Sequence, residues 1–224
     1  MKALIGAALL PVVMAVWTAG VSAHENHAPA PGAASAPAVA PMVKPKRDPV
    51  AYFSDREFLT HEGKKVRLYS DVLKGRTVVI NTIYTGCKDA CPLITQQLNQ
   101  VRAKLGPAFG KDVHFLTITS DPANDSPEAL RQYAKAQSAL VPGWTFLTGK
   151  KADIDFILKR LGQWSQNVEG HSTQLIAWNF VADRGRKMLP NAPVELIAAQ
   201  IVLLASSESM VPLPGAPAAA AKPD

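Results

Sequence analysis

The sequence predicts an α/β fold in which a mixed β-sheet lies between helices. Residues 76–84 form a β-branched run after a charged start, which is typical of a strand buried on both faces. Residues 112–119 predict a second strand, and the intervening helix has apolar residues at spacings of four and three before Gly106 and Pro107 end it. A helix between two such strands indicates a parallel βαβ unit with a right-handed crossover.

Further helices and strands follow in an order that completes the sheet. Ser126, Pro127 and Glu128 form a helix start, with a capping hydroxyl, a first-turn proline and an acid near the positive end of the dipole. The other predicted elements are a hairpin that includes 65–69, strands at 144–147, 173–181 and 187–189, and helices at 126–139, 151–161 and 191–205. This order fits a thioredoxin-like arrangement, with a central mixed β-sheet flanked by helices.

Both ends of the chain differ in composition from its centre. Residues 1–23 combine a basic start, an apolar run and small residues near Ala23, which predicts a signal peptide or, alternatively, an N-terminal membrane anchor. Residues 24–47 are rich in Ala and Pro and predict a linker, and residues 206–224 predict a flexible tail. The folded domain is expected at 48–205, in the periplasm or on the extracytoplasmic side of a membrane.

Charge and motif content argue against several classes of function. The net charge is +6, but positive and negative residues alternate along the folded part, and no basic cluster is interleaved with aromatic residues. The sequence therefore does not predict nucleic-acid binding. It also contains no Gly-rich phosphate loop, no G-x-S-x-G and no H-E-x-x-H motif, which are typical of nucleotide-binding proteins, serine hydrolases and zinc proteases.

The two cysteines carry the strongest chemical signal. Cys87 and Cys91 are spaced C-x-x-x-C, are followed by Pro92, and lie between the first buried strand and the start of a helix. The N–H groups and dipole of a helix N-terminus favour a thiolate, which is both a nucleophile and a metal ligand. Two helical positions four apart have Cα atoms about 6 Å from each other, which suits a disulfide and also two ligands of one metal ion.

A structural disulfide and a functional thiol pair are both compatible with this spacing. A bridge that closes so short a loop stabilises a protein little through chain entropy. A domain of this size also has enough core not to depend on one local crosslink. The functional pair is therefore favoured, with the cysteines acting as redox thiols or as metal ligands.

One of the five histidines is placed to join the cysteines. His24 and His27 lie in the linker, His61 lies in a turn expected at the surface, and His114 lies inside a strand and is expected in the core. His171 follows a glycine and precedes the strand at 173–181. It is therefore expected on a loop at the sheet edge that faces the thiol-bearing turn.

Cys87, Cys91 and His171 together offer two sulfurs and one nitrogen. Soft thiolates select Cu(I), and imidazole serves copper in either oxidation state. The three residues therefore predict a copper site, trigonal for Cu(I) and open to a further ligand for Cu(II). A structural zinc site would normally need a fourth protein ligand.

Several short segments accompany the cysteine motif in a recognisable order. The most specific combination is C-x-x-x-C-P, ending at Pro92, with a downstream His171-Ser172. The remaining segments are 52–53, 63–69, 78–81, 84–87, 91–93, 120–122 and 143–149. In this order the sequence resembles the SCO/SenC family of copper-binding, thioredoxin-fold assembly proteins. Lys88 departs from the family pattern, which usually has proline after the first cysteine.

The resemblance implies an exported protein, soluble or membrane-tethered, that binds copper through Cys87, Cys91 and His171. The implied role is a metallochaperone for cytochrome c oxidase assembly, with the copper-accepting subunit of a respiratory oxidase as its partner. The alternative is a thiol–disulfide reductase that keeps the acceptor site, or other exported proteins, reduced through the two cysteines. A thioredoxin-like reductant or another copper chaperone would then be a further partner.

Overall fold

The structure, a computed structural model, describes residues 48–206. The predicted signal peptide at 1–23, the predicted linker at 24–47 and residues 207–224 of the predicted tail lie outside the described residues. Within the described part, the strands are β1 Glu57–Thr60, β2 Lys65–Arg67, β3 Thr77–Ile83, β4 Val113–Thr119, β5 Trp144–Thr148, β6 Leu175–Asn179 and β7 Arg184–Met188. The α-helices there are α1 Pro49–Phe53, α2 Ala90–Leu105, α3 Pro127–Ala136, α4 Lys151–Leu161 and α5 Val194–Ala205. None of these helices is long and apolar enough to cross a membrane.

All seven strands belong to one sheet, in the order β2-β1-β5-β4-β3-β6-β7. The three central strands pair in parallel, with Val79 opposite Phe115 and Phe115 opposite Trp144, while the pairs toward both edges are antiparallel. Every residue of β3 is buried, because helices cover both faces of this central strand. The predicted βαβ unit is β3-α2-β4, and the predicted α/β fold with a mixed sheet is confirmed.

Apolar side chains form a separate core on each face of the sheet. On one face, Val79 and Phe115 pack with residues of α2, α3 and α5, including Leu98, Leu130 and Ile201. On the other face, α1 and α4 pack against the alternate residues of the same strands. This division follows from the two-residue period of a strand, which sends successive side chains to opposite faces.

Several elements differ in extent from their prediction. Leu68 and Tyr69, which the sequence predicts as the end of a strand, instead begin a π-helical turn, Leu68–Leu73. Four of its six residues are buried, so the turn places more apolar side chains in the core than a strand edge would. Helix α3 ends at Ala136, earlier than predicted, and Ser138 has a positive φ of 55° that is incompatible with a continuing helix.

The segment 184–186, which precedes the strand predicted at 187–189, belongs to β7. Gly185 lies opposite Trp178 in the antiparallel pair. A Cβ atom at Gly185 would lie only 2.7 Å from Cδ2 of the Trp178 indole, so the glycine permits the ring to cover the backbone. The chain reverses around Asp183, which has a positive φ of 49°.

Three loops meet at the carboxyl edge of the central strands. β3 and β4 run parallel, so the turn after β3 and the loop after β4 leave the sheet side by side. β6 runs antiparallel to β3, with Ile176 opposite Ile80, so the segment before β6 reaches the same edge. The first loop carries Cys87 and the third carries His171, as the sequence predicts for facing loops.

Candidate metal centre

Cys87 lies in the turn between β3 and α2. Its N–H donates to the Tyr84 carbonyl at 3.1 Å, and α2 begins only at Ala90. Cys91 is the second residue of the helix and is 1% exposed, whereas Cys87 is half-buried. The Cα spacing of two helical positions therefore does not describe this pair, because Cys87 lies in the turn before the helix starts.

The two cysteine side chains nevertheless meet at the N-terminus of α2. Both are free thiols. The Cys91 N–H donates to the Cys87 sulfur at 3.3 Å, and the N–H of Asp89 is a second donor to it. Asp89 occupies the N-cap position, but its side chain makes no capping hydrogen bond. The Cys87 sulfur therefore accepts the free N–H groups of the helix end, where the dipole favours negative charge.

The two thiols differ in acidity. Burial opposes ionisation of Cys87, but hydrogen bonds from the Cys91 thiol, from two backbone N–H groups and from the Tyr84 hydroxyl hold its pKa below the ordinary value. Burial raises the pKa of Cys91 to about 12, and the hydrogen bond to Cys87 adds to this shift. Cys87 is therefore the thiol that ionises and reacts first, and Cys91 is its protected partner.

Tyr84 lies between the cysteine turn and His171. Its hydroxyl donates to the Cys87 sulfur, and its ring packs edge-on against the His171 ring, with centroids 6.0 Å apart. Burial and the neighbouring Cys87 raise the pKa of Tyr84 to about 12. The phenol therefore keeps its proton at neutral pH and remains a hydrogen-bond donor.

His171 follows the short turn Val168–Gly170 and is buried. Its Nδ1 lies 3.1 Å from the carbonyl oxygen of Ser172. Because a carbonyl oxygen only accepts, Nδ1 carries the proton of the neutral ring and Nε2 carries the free lone pair. Burial lowers the pKa of His171, which keeps the imidazole neutral and able to bind a metal ion.

The structure brings the two cysteines together but does not gather all three predicted ligands. Within residues 48–206, no group of three or more His, Cys, Asp and Glu side chains is arranged to hold a metal ion. His171 lies at the same sheet edge as Cys87 and Cys91, with the Tyr84 ring as its aromatic neighbour. The assignment of the three residues to one site therefore stays a prediction.

Two other histidines have environments that differ from the expected ones. His61, expected at the surface, is 9% exposed, because Phe146 donates its N–H to Nδ1 at 3.3 Å and packs edge-on against the ring. His114, expected as a satisfied core residue, is half-buried, and its Nδ1 has no hydrogen-bond partner. His24 and His27 lie outside the described residues.

Asp125 belongs to the same sheet edge, although the sequence does not single it out. It is 1% exposed, and its carboxylate accepts hydrogen bonds from Thr85, two residues before Cys87, and from Thr119 at the end of β4. The nearby sequence signal at 120–122 indicates a turn and carries no information about a buried carboxylate. Tyr84 lies in segment 84–87 of the family resemblance, but the sequence assigns it no role at the site.

The fold and the thiol turn define a thioredoxin-like protein: a mixed sheet between helices, with one accessible and one buried cysteine where the helix after a central strand begins. A family model described as SCO1/SenC matches residues 44–177 of this chain. The chain belongs to the SCO1/SenC family, as its motifs suggest.

Named relatives and solved structures agree with this assignment. The SCO1 protein homolog of Bacillus subtilis is 32% identical over 127 residues, which are 55% of this chain and 64% of that protein. The chain thus spans just under two thirds of the length of this curated relative. The structure of BsSco, described as a member of the Sco family of cytochrome c oxidase assembly proteins with a disulfide switch, has a TM-score of 0.58 and 25% identity over 70% of this chain and 94% of that one. Bradyrhizobium japonicum ScoI with copper bound shares the fold, with a TM-score of 0.55 and 22% identity over 66% of this chain and 96% of that one.

Proposed function

We propose that the protein binds copper through Cys87, Cys91 and His171 and delivers it to the copper centre of a respiratory oxidase. The observation that carries the proposal is the adjacent pair of free thiols at the N-terminus of α2, one of them accessible and with a depressed pKa. Two similar proteins support it, since one was solved with copper bound and the other is described as belonging to a family of cytochrome c oxidase assembly proteins.

The donor atoms suit Cu(I). Thiolates are soft ligands that select Cu(I) over harder cations. Cys87 supplies the first thiolate because its pKa is depressed. Cys91, whose pKa is about 12 in the free protein, loses its proton when its sulfur joins a metal ion. Copper uptake at neutral pH therefore releases a proton, and the affinity is expected to rise with pH.

His171 completes the ligand set when its segment moves toward the sulfurs. Residues 164–172 contain no helix or strand apart from the turn Val168–Gly170. His171 also lines a cavity of about 70 Å³ between this segment and the loop after β4. Tyr84 contacts both Cys87 and His171, so it is the side chain that such a shift has to displace.

Anaerobic titration of the reduced protein with Cu(I) tests this function. About one copper ion per chain is expected, because the chain offers one set of three ligands. Transfer is followed by mixing the loaded protein with a copper-free oxidase subunit and recording the absorption of the filled acceptor. Binding that survives replacement of both cysteines by serine would overturn the proposal, and so would the absence of binding in the wild type.

A second candidate function, thiol–disulfide reductase, is favoured by the difference in acidity between the thiols. The Cys87 thiolate would attack one sulfur of a target disulfide and release the other target sulfur as a thiolate. The deprotonated Cys91 would then attack the mixed disulfide, so that a Cys87–Cys91 bridge forms and the second target sulfur leaves. Two electrons pass to the target, and a thioredoxin-like reductant would restore the dithiol.

The reductase reaction needs Cys87 and Cys91 but not His171. Equal rates of reduction of an oxidised dicysteine acceptor peptide by the wild type and by His171→Ala would support it. A wild-type protein that binds copper tightly but reduces no such peptide would eliminate it. The matched control is the double serine variant, which can carry out neither reaction.

An extracytoplasmic location is part of the proposal. It is supported by residues 1–23, whose basic start and apolar run predict a signal peptide or an anchor. Fractionation of cells that express the full chain, with mass spectrometry of the mature N-terminus, tests it. A full-length protein recovered with the cytosolic fraction would contradict it.

A further inference from the structure

Asp125 is a buried carboxylate without a cationic partner. It is 1% exposed, and among the ion pairs of residues 48–206 none includes it. Burial raises its pKa, and the nearby Asp121 adds to the shift. A buried acid of this kind destabilises a protein unless hydrogen bonds compensate for the loss of water. The partners of these hydrogen bonds therefore indicate the role of Asp125.

The hydrogen bonds of Asp125 join two strand ends. The backbone N–H of Thr85 donates to both carboxylate oxygens, at 3.2 and 3.1 Å, and the Thr85 hydroxyl donates to one of them. The hydroxyl of Thr119 donates to the other oxygen. Thr85 follows β3 and Thr119 ends β4, so one carboxylate connects the carboxyl ends of neighbouring parallel strands.

The Thr85 end of this connection leads directly to the reactive thiol. Only Gly86 separates Thr85 from Cys87, and Cys87 closes its turn by donating its N–H to the Tyr84 carbonyl. Fixing Thr85 therefore fixes the start of the turn that carries the Cys87 sulfur to the N–H of Cys91. The restraint comes from a residue 40 positions away in the sequence.

We infer that Asp125 is a positioning residue for the reactive thiol: through Thr85, it holds the Cys87 sulfur against the N–H groups at the start of α2. The inference rests on the proposed function only in taking Cys87 as the working thiol. Asp125 touches neither copper nor a target protein in this role. Its carboxylate acts by holding Thr85 in place through hydrogen bonds, and not by the effect of its negative charge on Cys87.

The direction in which the alkylation rate of Cys87 changes distinguishes a geometric role of Asp125 from an electrostatic one. Loss of a negative charge near Cys87 would favour the Cys87 thiolate and speed its alkylation. Loss of the restraint on Thr85 would weaken the N–H contacts to the sulfur, disfavour the thiolate and slow alkylation. Asp125→Ala removes both the charge and the restraint, whereas Asp125→Asn removes the charge and keeps an oxygen that can accept from Thr85.

The experiment measures the iodoacetamide alkylation rate of Cys87 in the folded, metal-free full chain at pH 7, by peptide mass spectrometry. Asp125→Ala is expected to slow alkylation about tenfold, the size of one hydrogen bond to a charged group. Asp125→Asn is expected to stay within about threefold of the wild type, because its hydrogen bond to Thr85 remains. Alkylation by Asp125→Ala at the wild-type rate or faster would overturn the inference.

A pair of matched threonine variants keeps the test decisive where Asp125→Ala does not fold. Thr85→Val removes one hydroxyl of the network and is expected to slow Cys87 alkylation about threefold, as expected for one neutral hydrogen bond. Thr117→Val is the control, because Thr117 has a buried hydroxyl that bonds Asn81 at 2.7 Å and Trp144 at 2.9 Å, in the middle of β4. Equal slowing by both valine variants would show a general loss of structure and overturn the inference.

The copper titration separates this inference from the proposed function. Failure of the wild type to bind copper would eliminate the metallochaperone function. It would not affect the expected difference in Cys87 alkylation rate between the wild type and Asp125→Ala. Where the wild type binds copper, Asp125→Ala is expected to bind it about tenfold more weakly, within the range for lost outer contacts of metal ligands. Unchanged affinity together with unchanged alkylation would contradict the positioning role.

Discussion

The cysteine turn and the histidine segment are two parts of one candidate site, but the structure holds them differently. Cys87 is fixed by donors at the helix N-terminus, by the Tyr84 hydroxyl and by the network of the buried Asp125. His171 is held by one hydrogen bond, to the neighbouring Ser172 carbonyl, and by packing against Tyr84. One part is therefore preformed, and the other depends on a segment with little secondary structure.

This difference suits the proposed copper delivery, which requires both capture and release of the metal ion. A preformed thiol pair can bind a soft metal without rearrangement. A third ligand that arrives by movement adds affinity once in place, and its departure lowers the affinity at the moment of transfer. The contrast between the two parts can be tested one residue at a time.

Loss of either cysteine is expected to have the largest effect. Cys87→Ser and Cys91→Ser each remove a soft ligand, and each is expected to weaken Cu(I) binding more than about 100-fold, beyond the range for outer contacts of metal ligands. Competition with a Cu(I) chelator measures this. A serine variant that stays within about tenfold of the wild type would mean that the preformed pair is not the metal-binding part.

The two thiols are expected to react at very different rates. Hydrogen bonds hold the pKa of Cys87 below its ordinary value, whereas burial raises the pKa of Cys91 to about 12. After allowance for the higher intrinsic nucleophilicity of the less acidic thiol, Cys87 should alkylate at least about 30-fold faster at pH 7. Mass spectrometry of the singly alkylated protein checks this, and equal labelling of the two cysteines would contradict the asymmetry.

Replacement of Tyr84 by phenylalanine separates the two parts of the site. Tyr84→Phe removes the hydroxyl that donates to Cys87 and keeps the ring that packs against His171. The pKa of Cys87 is expected to rise, which slows its alkylation at pH 7 about threefold to tenfold, as for the loss of one hydrogen bond. Alkylation that is unchanged or faster would show that the hydroxyl does not stabilise the thiolate.

The smallest expected effect concerns histidines outside the cysteine turn. Burial lowers the pKa of His61 and of His114 below the ordinary value for histidine, about 6.5. Their neutral forms are therefore favoured in the folded chain, and the unfolded chain takes up the protons first. The free energy of unfolding is expected to fall as the pH drops below about 6.5, by at most about 1.4 kcal/mol per pH unit for each histidine.

Denaturant unfolding of the metal-free protein at pH 7.5 and 5.5 measures this effect. His61→Asn is the matched variant, because its side-chain oxygen can accept the Phe146 N–H that His61 Nδ1 accepts. This variant should show a smaller loss of stability at low pH than the wild type. An equal loss in both proteins would assign the pH dependence to other groups.

The fold was largely predictable because its signals are local. The β-branched run of β3, the Ser126 cap of α3 and the spacing within α4 are short-range patterns, and the structure contains all three elements. The cysteine pair was predictable for the same reason, since only three residues separate Cys87 from Cys91. The start of α2 was less certain, because the turn before it has no comparable pattern.

The rest of the site depends on contacts between distant parts of the chain. Asp125 reaches Thr85 across 40 positions, and His61 is buried by Phe146 across 85 positions. The acidity of Cys87 depends on how Tyr84 and the helix N-terminus are oriented, which the spacing of the cysteines does not define. None of these contacts leaves a periodic pattern or a motif in the sequence.

The central claim is that His171 joins the two cysteines at one copper ion. The most direct measurement is the Cu(II) affinity of His171→Ala beside that of the wild type, with His114→Ala as a control at the opposite edge of the sheet. The account predicts a loss of about 10- to 100-fold or more for His171→Ala, with His114→Ala close to the wild type. A His171→Ala variant that holds Cu(II) as tightly as the wild type would contradict it.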